Sequence, residues 1–474
     1  MSKPSVPVVV DAERSQQRSA PLQPDIVDAM RSDLGDWRQW VARLIVLVYA
    51  AAAGLSVVAF NELCDIAQRG FAAVYAWRPW AALAWMPACA ALIVFLTRRV
   101  APGAAGSGIP QVMATLDPAL DLVARSRLVS LRLSISKMLL TAGGLLGGLT
   151  IGREGPSVQI AAGVMQHARR WLPPHPGISE HSLLVAGGAA GIAAAFNAPL
   201  AGVMFAIEEL ASRLEQRSSG LIIAAIVLAG LTGVSFFGNA TYFGVIHVPS
   251  LHLAMVYPAA LLIIACGTLG GVFARLLHAS LTGTQGRLLA WRSRHPMAFA
   301  GACGLALGAI GWVSHGASFG SGYGYTRALL NGHADIAFLY VTLRIVATWI
   351  AVWSGAPGGI FAPCLAIGAG IGHDVALLTG ADADSSALIA LGMAGFLTAV
   401  TQAPMTSFII VMEMVDGHAM VLSLMSCALG ASLVSRWISR PLYGSLTEAL
   451  LLREKTSVVV QSEVTRATDS YPGK

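Results

Sequence analysis

Residues 143–156 read Gly-Gly-Leu-Leu-Gly-Gly-Leu-Thr-Ile-Gly-Arg-Glu-Gly-Pro. The stretch is apolar enough for a bilayer, yet glycines cut it and a proline closes it, so it cannot be one uninterrupted helix. It also carries a carboxylate, Glu154, between two apolar segments. At that depth an ionised group costs roughly 2.5–3.5 kcal/mol on insertion scales unless something holds it. Bare backbone cannot face lipid, so breaks at membrane depth must be enclosed by protein or line an aqueous path. The same interruption recurs at 103–110, 187–199, 316–324, 355–363 and 392–404. Only Leu44 to Phe60 and about Trp80 to Leu96 precede this pattern as unbroken spans able to cross a core about 30 Å thick. The expected fold is therefore an all-α polytopic membrane protein of broken, tilted helices, which is a transporter pattern.

The composition agrees. Of 474 residues 12% are charged, about half the roughly 25% of a soluble globular chain, and such a chain cannot cover a water-facing surface. With 55% hydrophobic residues and 50 glycines, packed membrane helices are favoured. Disorder, collagen, a disulfide scaffold and a nucleic-acid-binding module are excluded. The net charge of +6 is assigned to cytoplasmic loops. Cys64, Cys89, Cys266, Cys303, Cys364 and Cys427 lack metal-site or redox spacing and read as buried apolar residues. The first apolar run starts near Leu44, behind Arg14, Arg18, Arg31, Arg38 and Arg43, too late for a cleavable signal peptide. Those arginines hold the N-terminus in the cytoplasm. Residues 1–40 form a cytoplasmic tail with one short amphipathic helix around Asp33 to Trp40.

An internal repeat follows from four matches in the same order. Gly106-Ser107-Gly108 is echoed by Gly320-Ser321-Gly322, Gly152 to Pro156 loosely by Gly358 to Pro363, Asn197-Ala198-Pro199 by Gln402-Ala403-Pro404, and Glu208 by Glu413. The offsets are 214, 206, 205 and 205. Paired broken segments in two halves indicate an inverted repeat with its binding site at the midplane. The membrane domain spans 41–445, with halves at about 41–240 and 255–445 joined near Thr241 to His252. Only 31 residues follow Tyr443, fewer than the roughly 40 an independent fold needs, so 446–474 is expected to be a cytoplasmic tail without a regulatory domain.

Within Gly106-Ser107-Gly108-Ile109-Pro110, glycines free backbone N–H groups and a proline can open the next helix. Exposed amides beside a hydroxyl make an anion site, and an ordinary serine cap is the alternative. Glu154, in Gly152-Arg153-Glu154-Gly155-Pro156, either pairs with Arg153 at an interface or is held by a helix N-terminus. In the second case it competes with a free anion for the same positive ends.

These motifs resemble those of the CLC family of chloride channels and proton-coupled chloride antiporters. Gly106 to Pro110 matches its GSGIP segment, Gly152 to Pro156 its GREGP segment, and Gly358-Gly359-Ile360-Phe361-Ala362-Pro363 its GGIFAP segment. The order and helix pattern match from about residue 40 to 450. The resemblance implies a homodimer with one anion pathway per subunit, multi-pass in a bacterial inner (plasma) membrane with both termini cytoplasmic. It implies chloride held by the hydroxyls of Ser107 and Tyr443 and the amides of Ile360 and Phe361. Read alone, Tyr443 is an interfacial aromatic. No Lys or Arg is among the four donors, and neutral dipoles suit rapid release. Chloride, protons and lipid are the implied partners; no cofactor, metal or enzymatic activity is implied.

Glu208 and Glu209 end the run Ala201 to Ile207 and alone read as cytoplasm-facing carboxylates. Antiporters of the family carry an acid here that passes protons inward, and Glu209, 55 residues after Glu154, matches it. Antiport is therefore expected, with Glu154 as outer gate; the alternative is a passive chloride channel. Neighbouring helix residues point about 100° apart, so Glu209 and Glu208 cannot face one path together. The chain departs from the pattern at Met113, where relatives often have a second buried acid, and in a longer segment from Thr115 to Arg132. Lys137 matches a buried family lysine whose partner is then open. Relatives favouring nitrate carry proline in place of Ser107.

Other signals point elsewhere. Gly316-Ala317-Ser318-Phe319-Gly320 has nucleophile-elbow spacing, giving a distant intramembrane serine hydrolase reading, but the surroundings are helical. His315, His333 and His373 are isolated. Glu413 echoes Glu208, held by polar neighbours or a dimer interface, and Arg287 to Arg294 reads as a solvated cytoplasmic loop.

Overall fold

The computed structural model describes residues 37–174, 178–211, 219–238, 243, 253–283, 285–332, 339–381 and 384–469, with side chains of the last helix given to residue 455. The first half contains α1 (Trp37–Trp77), α2 (Ala82–Val100), α3 (Ile109–Thr115), α4 (Leu122–Leu128), α5 (Leu131–Leu146), α6 (Glu154–His167), α7 (Glu180–Phe196), α8 (Pro199–Phe205) and α9 (Ser219–Phe237). The second contains α10 (Val256–Thr282), α11 (Arg287–Arg294), α12 (Pro296–Val313), α13 (Tyr323–Leu330), α14 (Leu339–Trp353), α15 (Phe361–Thr379), α16 (Ser385–Thr401), α17 (Pro404–Met414), α18 (Val421–Arg436) and α19 (Leu442–Asp469).

Seven helical segments are long and apolar enough to cross a membrane among the described residues. Others stop short: α3 and α8 have seven residues each, about 10 Å of helix against a core of about 30 Å. The breaks fall where glycine and proline interrupt the sequence, at 101–108, 147–153, 197–198, 314–322, 354–360 and 402–403.

Burial divides the helices. In α6 every residue from Glu154 to Met165 is buried, and in α16 every residue from Ala387 to Thr401. Helices apolar all round belong inside a protein. By contrast α1, α2, α10 and α12 expose Leu44, Phe95, Ile264 and Trp312, the faces expected toward lipid. The repeat is visible in this packing. A Cβ on Gly191 of α7 would lie 2.6 Å from the Ser157 carbonyl of α6, and one on Gly368 of α15 would clash with the Gly392 carbonyl of α16. Both halves thus use glycine to bring a buried helix pair into backbone contact.

Several expectations change. The short helix expected around Asp33 to Trp40 is, from Trp37 onward, the first turn of the 41-residue α1. Residues 287–294 form a helix with no buried side chain rather than a loop, as their Arg, Leu and Ala content favours. Ser318 is buried; its hydroxyl pairs with Ser314 Oγ at 2.9 Å, and its carbonyl accepts from Thr150 Oγ1 at 2.8 Å. The strand-to-helix turn of a nucleophile elbow is absent there, and no histidine or acid bonds to Ser318 among the described residues. His315 sits in a left-handed turn and His373 is half-buried in α15. His333 and all of Thr241 to His252 except Phe243 lie outside the described residues.

Candidate anion site and proton path

The three motifs are knitted together through backbone. Gly152 N and Gly359 O, and Gly359 N and Gly152 O, pair at 2.7 Å each, and Gly358 N donates to Gly106 O at 3.0 Å. Gly108, with φ of +109°, turns the chain into α3 in a conformation only glycine adopts readily. Gln111 fixes that turn: Oε1 accepts from Gly108 N at 3.0 Å and Nε2 donates to Ala105 O at 2.6 Å. Gly155 lacks a side chain because a Cβ there would collide with Ser107 Oγ.

Lys137 has partners after all. From α5 its fully buried ammonium donates to Ala104 O at 2.7 Å and Gly106 O at 2.6 Å, holding the Ser107 loop. Sequence reasoning missed the corresponding cation of the second half. Arg344 of α14, also fully buried, donates to the carbonyls of Phe319 (3.2 Å) and Gly320 (2.8 Å). An isolated Arg in an apolar helix, 207 residues after Lys137, was the available signal. Lys137→Met would leave the Ala104 carbonyl without this donor, at about 1–3 kcal/mol, and take one of two donors from the Gly106 carbonyl, which keeps Gly358 N. We expect a lower thermal midpoint in detergent and weaker chloride binding; an unchanged midpoint would contradict this role.

Helix α15 starts at Phe361, after Ile360, and helix N-termini leave amides without intrahelical partners. The Tyr443 ring stacks on Phe361, with centroids 5.9 Å apart. The Ser107 and Tyr443 hydroxyls are close enough to influence one another, yet neither has a partner at hydrogen-bond geometry among the described residues. Both residues and Ile360 line a cavity of about 570 Å³ whose wall also carries Arg127, Arg292 and Arg453. Two buried hydroxyls without acceptors among the described residues, beside a helix N-terminus, are free to donate to an anion, and arginines on the same wall favour negative charge there.

Glu154 is not part of that wall. It is 1% exposed, at the first position of α6, and its Oε2 accepts from Ala362 N at 3.3 Å in the first turn of α15. Oε1 has no partner. Arg153 turns away, pairing with Asp65 at 2.7 Å and donating to Asn61 O at 3.2 Å, so the Glu154–Arg153 pair is not the arrangement formed. The carboxylate therefore occupies a converging pair of helix N-termini.

Helix α8 ends in a π-turn, Ala206–Leu210, closed by Ala211 N to Ala206 O at 2.8 Å. Glu209 is half-buried within electrostatic range of Tyr443, without a hydrogen bond among the described residues. Glu208 diverges from it. It is not a solvated carboxylate, since it accepts from the amides of Met405 and Thr406 at 3.1 and 2.7 Å. Met113 is half-buried against Thr447, whose Oγ1 lies 3.7 Å from its sulfur.

A family model for the voltage gated chloride channel matches residues 89–436. The chain belongs to that family. Among its relatives is the H(+)/Cl(-) exchange transporter ClcA of Cronobacter sakazakii, 31% identical, covering 89% of this chain and 92% of that protein. Among solved structures it is similar to a slow cyanobacterial Cl-/H+ antiporter, with 25% identity, a TM-score of 0.71, and coverage of 88% of this chain and 99% of the other. A CLC-type fluoride/proton antiporter shares the fold at 21% identity and a TM-score of 0.70, over 85% and 97% of the two chains. The inverted-repeat membrane architecture is that of this family.

Proposed function

We propose that this CLC protein exchanges chloride for protons across a bacterial inner membrane, as a homodimer with both termini cytoplasmic. The observation that carries the reading is the Glu154 carboxylate on the Ala362 amide, next to the Ile360–Phe361 helix start. Negative charge is stabilised at those amides whether a side chain or a free ion supplies it. Chloride entering past Arg127, Arg292 and Arg453 meets Ser107, Tyr443 and the Ile360 and Phe361 amides. A further anion displaces Glu154, which takes up a proton from the outer side. Glu209 supplies the inner proton route.

The test is purified protein in liposomes under an outward chloride gradient, followed with chloride and proton electrodes. Antiport drives protons uphill until an uncoupler is added. Chloride efflux without proton movement would establish the channel alternative instead. A further expected result concerns selectivity: Ser107→Pro removes a compact hydroxyl donor and should raise nitrate-driven proton movement relative to chloride. An unmoved nitrate-to-chloride ratio would remove the hydroxyl from selectivity.

A further inference from the structure

Glu413 has no place in the pathway above, yet the structure gives it and Glu208 matching bonds. Near the end of α17, Glu413 accepts from Leu200 N at 3.2 Å through Oε1 and from Ala201 N at 2.8 Å through Oε2. Glu208 accepts from Met405 N and Thr406 N with the same pairing of oxygens. Each carboxylate thus spans the first two N–H groups, on the second and third residues, of a proline-started helix in the other half, α8 or α17, and those helices pack together. The helix before each, α7 or α16, ends in a left-handed residue, Asn197 or Gln402. The two halves clasp one another with charge-assisted bonds at both helix starts.

The clasp bears on Glu209 through chain connectivity. Helix α8 has seven residues, too few to be stable unaided, and it leads directly into the π-turn that carries Glu208 and Glu209. Glu413 holds its start, and Glu208 holds its end against α17. With Glu208 fixed onto the α17 amides, Glu209, the next residue of the π-turn, cannot point the same way, and it lies within electrostatic range of Tyr443. None of the clasp's bonds involves Ser107, Ile360, Phe361, Tyr443 or Glu154.

Resting on the antiport reading, we propose that Glu413 is a positioning residue for proton transfer: by capping α8 from the opposite half, it sets the direction of Glu209 without touching the anion path. The substitutions are Glu413→Ala, which loses both amide bonds, and Glu413→Gln, which keeps one acceptor oxygen. In liposomes Glu413→Ala should raise the chloride-to-proton ratio by about threefold or more, the scale of a lost helix cap, while the chloride rate stays within about twofold. Glu413→Gln should fall between it and the unmodified protein. Added to Glu209→Gln, Glu413→Ala should change nothing further, since it acts through that residue. An unchanged ratio, or a parallel loss of both fluxes, overturns the proposal in favour of no role or a purely structural one. Deuterium exchange reads the clasp independently of coupling: the peptide 199–211 should take up label faster in both variants, while 154–167 should not. If the unmodified protein moves no protons, the antiport reading fails by itself, and unchanged exchange at 199–211 would separately overturn the clasp.

Discussion

Glu154→Gln, and equally Glu154→Ala, should leave chloride flux running while chloride-driven proton uptake falls to the leak of protein-free liposomes. Two physical roles end together. The neutral side chain no longer competes for the amides at the starts of α6 and α15, so the anion meets no gate, and no carboxylate remains there to carry a proton. The fold should survive, because Arg153 keeps its bonds to Asp65 and Asn61, and the Gly152–Gly359 and Gly358–Gly106 backbone bonds need no side chain. Residual chloride-driven proton uptake in purified Glu154→Ala protein would sink the gate assignment.

Glu209→Gln should likewise abolish proton transport while chloride still moves, and Glu208→Gln should cost only part of the coupling. Glu209 has no hydrogen-bond partner among the described residues and lies within range of Tyr443, so on the proposed inner route glutamine removes its proton without breaking a bond. Glu208 is spent on two amides, and a glutamine still offers one acceptor to them. Liposome uptake for both single variants decides the matter. Loss of coupling in Glu208→Gln alone, or its retention in both, would put the inner route elsewhere and favour the channel reading.

How much of this was legible in the sequence depended on whether a residue acts through local pattern or distant contact. Glycine and proline dictate where helices break, so the interruptions read from the sequence at 103–110, 143–156 and 355–363 overlap the breaks found at 101–108, 147–153 and 354–360. Registered echoes such as Asn197-Ala198-Pro199 and Gln402-Ala403-Pro404 exposed the repeat, because both copies must leave a helix in a left-handed turn and start another. What holds the breaks in place was not legible. Lys137 reaches carbonyls 33 and 31 residues away, and Glu208 and Glu413 reach amides about 200 residues away. No periodicity reports such contacts. Glu208 illustrates the failure: a carboxylate at a helix end normally faces water, and only the amides of Met405 and Thr406 reveal otherwise.

The central claim is that chloride and the Glu154 carboxylate compete for the same helix N-termini, and chloride binding as a function of pH tests it most directly. Only the ionised carboxylate competes. Lowering the pH protonates it and frees the amides, so radiochloride binding to the purified protein should tighten as pH falls. The same titration on Glu154→Gln should be tighter at high pH and flat. Affinity that does not change with pH in the unmodified protein, or a Glu154→Gln variant that keeps the same pH slope, would contradict a shared site.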